Sequence, residues 1–233
     1  MEKWLTENSN LNYSPEALEF AQEALSGTAG SQRRRKRMFR ASSAGYCKRK
    51  QIFSILGMPQ RREVDSGLSN IFATGNYLHL KWQMAGLTEG WLTQAEIPVD
   101  REDINAGGTM DGMTYVGTGF EFKTINSRGY QKVTNFGPLK HHLYQTHWYM
   151  FLADIEGFSI IYENKDTGDW REFKVDRDES LIDKAKEEIG YLNNALANKE
   201  LPDMQYDCMN QTGTTYRNCP FRDICAKTQS WPV

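Results

Sequence analysis

The texture of the chain changes once, near residue 91, and that change limits what it can fold into. Before it, Leu68, Ile71, Phe72, Leu78 and Trp82 recur at helical spacing. After it, residues 91–99, 108–116 and 119–126 are short, rich in threonine, valine, isoleucine and aromatics, and separated by glycines, the pattern of strands in a meander. A helix is expected over about 138–153. FSIIYEN and WREFKVD then flank Asp166-Thr167-Gly168-Asp169, a hairpin signal. Over 178–198, Leu181, Ile182, Ala185, Ile189, Leu192 and Leu196 form one apolar stripe. Upstream, helices are expected over about 14–25, 43–56 and 65–85, with Pro15 at a first helical position and Gly57 and Pro59 as stops. Helices, three strands, a helix and two more strands make a mixed α/β domain.

The 233 residues suffice for one core without covalent staples. The net charge of −2 hides an asymmetry: six of the 28 basic residues fall in RRRKRMFR, residues 33–40, and the other 22 face 30 acidic ones. Global charge therefore gives no argument for nucleic-acid binding, whereas the local tract does, as a phosphate-tracking arm or simply a solvated one. No apolar run nears the roughly 20 residues of a membrane span, and MEKWLTENSN lacks the basic flank and apolar stretch of a secretion signal. The expectation is a cytoplasmic, thiol-reducing setting with no membrane partner.

Chemistry concentrates at 111–123. Asp111 sits in the strand-like GTMDGMTYV, and ten residues later comes Glu121-Phe122-Lys123. Residues i and i+2 of a strand share a face, so Glu121 and Lys123 point together while Phe120 and Phe122 enter the opposite layer. If YVGTG turns a hairpin, Asp111 lies across from them. Paired carboxylates bind hard cations such as Mg²⁺, and a neighbouring lysine can orient water. The bland alternative is a surface ion pair contributing roughly 0–1 kcal/mol.

This arrangement resembles the PD-(D/E)XK nuclease motif, and in particular its RecB-like branch. That branch places a histidine in a Gly-x-x-x-His setting on an upstream helix, matched by Gly75-Asn76-Tyr77-Leu78-His79, and a Gln-x-x-x-Tyr pattern on the following helix, matched by Gln145-Thr146-His147-Trp148-Tyr149. The resemblance implies a restriction-endonuclease-like mixed central sheet flanked by helices. It also implies one or two Mg²⁺ or Mn²⁺ ions held by His79, Asp111, Glu121 and the backbone carbonyl of Phe122, with Lys123 acting on the water or the phosphate. Gln145 and Tyr149 are expected to position DNA. Arg33, Arg34, Arg35, Lys36 and Arg37, with Lys48, Arg49 and Lys50, are candidates for the phosphate-tracking groove, and Tyr46 or Trp82 for base stacking, although core packing is the commoner use of such aromatics.

Cys47 lies near the second helix, and Cys208, Cys219 and Cys225 lie in the tail. Two disulfides fit the even count but not the inferred compartment. Zinc and iron–sulfur clusters both accept four thiolates, although zinc favours close cysteine pairs that are absent here. A subset of RecB-like nucleases, the AddB-type and CRISPR-associated four-cysteine groups, holds a 4Fe–4S cluster with one cysteine before the core and three after. Cys219-Pro220-Phe221-Arg222-Asp223-Ile224-Cys225 is similar to their closing pair, while Cys208 stands farther away than in that pattern. The resemblance thus implies a 4Fe–4S clasp, with Zn²⁺ as the alternative, tying the tail to the second helix. The expected divisions are 1–41, an N-terminal helix and basic arm; 42–226, the nuclease domain with its clasp; and 227–233, a tail.

The function these readings imply is metal-dependent DNA exonuclease activity on ends or single strands, in recombination, repair or DNA turnover, with a recombination or helicase partner among the options. A phage-encoded origin, acting in a host cytoplasm, is compatible. The competing readings are a DNA-binding recombination module with a vestigial site and a zinc-stapled interaction module.

Overall fold

The computed structural model describes residues 12–26, 37–61, 66–209, 211 and 213–232, without the side chains of Ser66 and Leu68. The expected DNA contacts Arg33, Arg34, Arg35 and Lys36 lie outside this set. In chain order the strands are β1 (Phe39–Arg40), β2 (Leu92–Pro98), β3 (Ala106–Gly107), β4 (Thr109–Thr114), β5 (Gly119–Ile125), β6 (Gly157–Asn164) and β7 (Trp170–Asp176). The helices are α1 (Pro15–Ser26), α2 (Lys48–Leu56), α3 (Ser66–Glu89), α4 (Ser127–Phe136), α5 (Lys140–Ala153) and α6 (Glu179–Ala197), followed by the single turns α7 (Tyr206–Met209), α8 (Thr214–Arg217) and α9 (Arg222–Cys225).

A five-stranded mixed sheet has the order β2-β4-β5-β6-β7. The first three strands are antiparallel, as a meander requires. β5 then pairs with β6 in parallel, so α4 and α5 form the crossover that such a connection needs, and β6 returns as a hairpin with β7. β1 and β3 make a separate parallel ladder of two residues each.

Helices cover both faces of the sheet. On one, α3 sets Trp82 against Phe120, Phe122 and Ile161. On the other, Trp148 and Tyr149 of α5 and Ile182, Ala185, Ile189 and Leu192 of α6 meet Phe158, Ile160 and Tyr162. The alternation along β5 thus sorts its phenylalanines to α3 and leaves Glu121 and Lys123 facing α5. Each large side chain fully buried in these layers contributes roughly 1.5–3 kcal/mol relative to exposure.

Three expectations shift. The second helix starts only at Lys48, because residues 41–43 make a 3-10 turn and Gly45 takes φ +71°, which no helix tolerates. On α3, Ile71 and Phe72 of the expected stripe are exposed. α4 escaped the sequence reading because Val133 is its one buried residue; its start is set by Asn126, whose side chain accepts the Gly129 N–H at 2.9 Å. No helix among the described residues is long and apolar enough to cross a membrane.

Candidate active site

The hairpin between β4 and β5 is closed by the Thr114 N–H to the Thr118 carbonyl, with Gly117 at φ +80°. The two strands pair only at Gly112↔Phe120 and Met113↔Gly119. One step further the ladder gives way: Asp111 Oδ2 accepts the Phe122 N–H at 2.7 Å, so a side chain takes the place of a strand. This gap connects the two faces of the sheet. Through it α3 brings His79, whose ring stacks on Phe122 at 5.7 Å and whose Nε2 lies 2.7 Å from Asp111 Oδ2. From the other face α5 brings Gln145.

Glu121, 2% exposed, meets Lys123 Nζ at 2.5 Å through Oε1. Gln145 Nε2 donates to that same oxygen at 2.7 Å, while Gln145 Oε1 accepts from Lys123 at 3.3 Å. Glu121 Oε2 is buried with no hydrogen-bond partner, whereas His79 Nε2 is held by its ion pair with Asp111. An unsatisfied buried carboxylate oxygen costs free energy, so Glu121 Oε2 is the atom of this cluster that the chain itself leaves unserved.

The charges show the same deficit. Burial pushes Glu121 up to about 7, with Asp111 adding repulsion and Lys123 and His79 pulling the other way. Burial disfavours a charge on His79, yet Asp111, Glu96 and Glu121 outweigh it and raise its pKa to about 9. Lys123 is likewise raised: burial opposes its charge, and Glu121 and Asp111 overcome it. Protons are serving where positive charge is wanted.

Glu96 was missed by the sequence reading. It is a lone acid in β2 at φ +53°, and no spacing rule links it to Asp111. One ligand atom each from His79, Glu96 and Asp111 falls within 4.8 Å of the others. Gln83, buried, donates from Nε2 to both Glu96 Oε1 and the Asp111 carbonyl at 2.9 Å.

The expected DNA contacts fare differently. Gln145 is buried, and its amide is spent on Glu121 and Lys123 rather than facing a strand. Tyr149 is 3% exposed and donates its hydroxyl to the Thr109 carbonyl at 2.7 Å, bracing β4. Arg49 is buried too: Nε donates to the Pro202 carbonyl at 2.7 Å, and Nη1 to the carbonyls of Cys225 and Thr228 at 3.3 Å. It clamps the tail, where the sequence reading placed it at phosphates. Trp82 belongs to the core. Arg37 is exposed. Lys48 is exposed, its Nζ 4.2 Å from the Tyr191 ring. Tyr46, also exposed, lies with its ring 6.1 Å from His141 and under the Lys50 ammonium.

Cys47, Cys208, Cys219 and Cys225 are free thiols lining one cavity of about 200 Å³ with Phe53 and Phe221. Burial pushes the thiols of Cys47 and Cys208 up, and the neighbouring sulfurs add to it. Among the described residues no three of these sulfurs fall within 4.8 Å of one another.

Solved structures share this fold. The alkaline exonuclease LHK-Exo from Laribacter hongkongensis superposes with a TM-score of 0.56 at 16% identity, covering 71% of this chain and 91% of that one. LHK-Exo in complex with dAMP gives 0.57 at 15% identity, over 71% and 90%. The protein SSO0001 gives 0.53 at 17% identity, over 93% and 96%. No protein-family model and no curated protein matches the sequence. The mixed sheet flanked by helices is thus a nuclease-like fold, shared with these neighbours at 15–17% identity.

Proposed function

We propose that the chain is a divalent-metal-dependent DNA exonuclease of the RecB-like PD-(D/E)XK kind, hydrolysing phosphodiester bonds at DNA ends or in single strands. The observation that carries this reading is the buried, partnerless Oε2 of Glu121, set beside Asp111 and its ion-paired His79 in the gap of a splayed strand pair. The exonuclease name of LHK-Exo, which shares the fold, supports it.

The residues that would hold Mg²⁺ or Mn²⁺ are Asp111, Glu121, His79 and the Phe122 carbonyl, a donor set of hard oxygens with one imidazole. Bound there, the cation supplies Lewis-acid polarisation of the phosphate and a water of lowered pKa. The chain's own residues do the rest. Lys123, held by Glu121 and Gln145, keeps a fixed positive charge where negative charge grows on the phosphate. Gln145 fixes both catalytic side chains in register from α5. Tyr46, near Lys123 and under the Lys50 ammonium, offers a stacking face for the strand, and Lys48 with the basic run 33–37 is assigned to the phosphates on charge alone.

The four-thiol cavity is read as a 4Fe–4S clasp within a nuclease unit spanning 42–226. Four thiolates lining one cavity suit such a cluster, and Zn²⁺ is the alternative occupant. Arg49, reaching from α2 to the Cys225 and Thr228 carbonyls, reinforces the closure.

Anaerobically purified protein is expected to carry iron and a brown charge-transfer spectrum, and to degrade end-labelled DNA only with Mg²⁺ or Mn²⁺. Asp111→Asn should lower that activity by about a thousandfold or more without lowering the melting temperature. Full activity in this variant, or degradation indifferent to chelators, refutes the assignment.

A further inference from the structure

We propose that the cleft between α1 and α3 is a nucleobase subsite, in which Phe20, Asn76 and Tyr77 take an unpaired base of the strand whose scissile phosphate is held beside Asp111 and Glu121. This rests on the nuclease reading and deepens it, from DNA ends in general to an end that offers an unpaired base.

Small residues set the geometry. Ala17 and Ala21 are buried where α1 lies along α3, and the Ser14 N–H donates to Thr88 Oγ at 3.1 Å near the last turn of that helix. α1 therefore runs antiparallel to α3. Further along it, Phe20 and Leu25 face Asn76, Tyr77 and Leu80 across a cavity of about 490 Å³. That volume falls in the range of about 300–1,000 Å³ typical of small-molecule sites. Residues 73, 76, 77, 80 and 83 of α3 all line it, the spacing of a single helix face. His79 and Glu96 are walls of the same cavity, so it adjoins the cluster around Asp111. Gln83, a further wall residue, donates to Glu96 Oε1 and to the Asp111 carbonyl at 2.9 Å.

The chemistry of the walls selects the occupant. Among the described residues no lysine or arginine lines this cavity, and the Glu96 carboxylate repels an anion, so a phosphate has no partner there. A flat, uncharged ring does. Tyr77, 65% exposed, and the half-buried Phe20 offer faces for stacking, and the Asn76 amide brings both a donor and an acceptor to a base edge. The positive charge lies at Lys123, on the other face of the sheet, so the backbone stays there while the base turns in. Swinging a base out of a duplex costs its pairing and stacking, whereas an unpaired one enters without that cost.

The test uses the whole purified chain and single-stranded oligonucleotides in which one nucleotide at a time, counted from each end, is abasic. For wild type with Mg²⁺, the missing base is expected to raise KM about tenfold at one position and to matter little elsewhere. In Tyr77→Ala, intact and abasic strands should share the raised KM, an effect that general loss of packing does not produce. Phe20→Leu, on the facing helix, serves as the second variant if that one disturbs folding. With 5-iodouracil at the same position, irradiation should join the base to Tyr77 or Phe20, as read by mass spectrometry. Wild-type discrimination retained in both variants, none at any position in wild type, or crosslinks confined to Tyr46 would overturn the subsite and leave the nuclease reading standing. So would a second copy of the chain on this face, seen as a dimer that Tyr77→Ala dissociates. If wild type degrades no strand with Mg²⁺ or Mn²⁺, the nuclease reading falls and the subsite with it.

Discussion

Two buried glutamates on neighbouring strands of one sheet, Glu163 on β6 and Glu121 on β5, have opposite surroundings. Glu163, 3% exposed, has both oxygens engaged by Lys81 Nζ, at 2.8 and 2.7 Å, and accepts the Trp82 indole N–H as well. Those partners sit on α3, so the contact fastens the helix that carries His79. Glu121 is as deeply buried and also has a lysine, yet one of its oxygens is left without a partner and a second carboxylate faces it. A satisfied buried pair is structure; an unsatisfied one that the fold nevertheless maintains is a candidate binding site. The difference separates an anchor from the proposed reactive centre within a single sheet.

The sharpest way to break this contrast is to remove the anchor. Glu163→Ala strands the Trp82 N–H and frees Lys81, and should destabilise the fold by about 2–3 kcal/mol. Mn²⁺ uptake per folded molecule should be unchanged. Chemical denaturation read beside metal titration checks both halves, and a stable variant with lost metal would reverse the two roles.

Gln145→Ala should do the opposite. It leaves α5 packed but releases Glu121 and Lys123 from their common amide, so turnover or metal affinity should fall about 10–100-fold. The melting temperature should hardly move. An unimpaired variant would show that Glu121 and Lys123 hold their geometry without it.

The mildest effect is on pH dependence. His79 is raised from 6.5 to about 9, so its contribution to stability is complete below its unfolded value and is lost as pH climbs through the folded one. Glu121, raised from 4.5 to about 7, behaves in the same sense at lower pH. Metal-free protein should therefore melt at progressively lower temperature from about pH 6.5 to 9, and Mg²⁺ should restore more stability at the alkaline end, where it no longer competes with protons. A flat or rising melting curve without metal would contradict the charge deficit in the site.

How far the sequence reveals the site depends on whether its parts lie within one element or between several. Asp111, Glu121 and Lys123 were legible because strand alternation and a glycine turn are local, and the hairpin joins them. His79, Gln145 and Tyr149 are legible only through the motif order of the family the sequence resembles, and that order does not say which way they point. The structure turns Gln145 and Tyr149 inward, to a carboxylate–lysine pair and a strand carbonyl. Arg49 looked like a phosphate ligand in a run of basic residues, yet its helix places it under the tail, where three carbonyls absorb the guanidinium.

Periodicity and turn chemistry by themselves determined the strands, most of the helices, the mixed α/β class and the pairing of one aspartate with a Glu-x-Lys. Only tertiary structure decided that β4 and β5 part at Asp111, that Glu96 stands across from it, and that four cysteines up to 178 residues apart line one cavity. The physical reason is range. Backbone preference and side-chain alternation act over a few residues, whereas a buried charge is defined by neighbours that the chain supplies from distant elements once the core has closed.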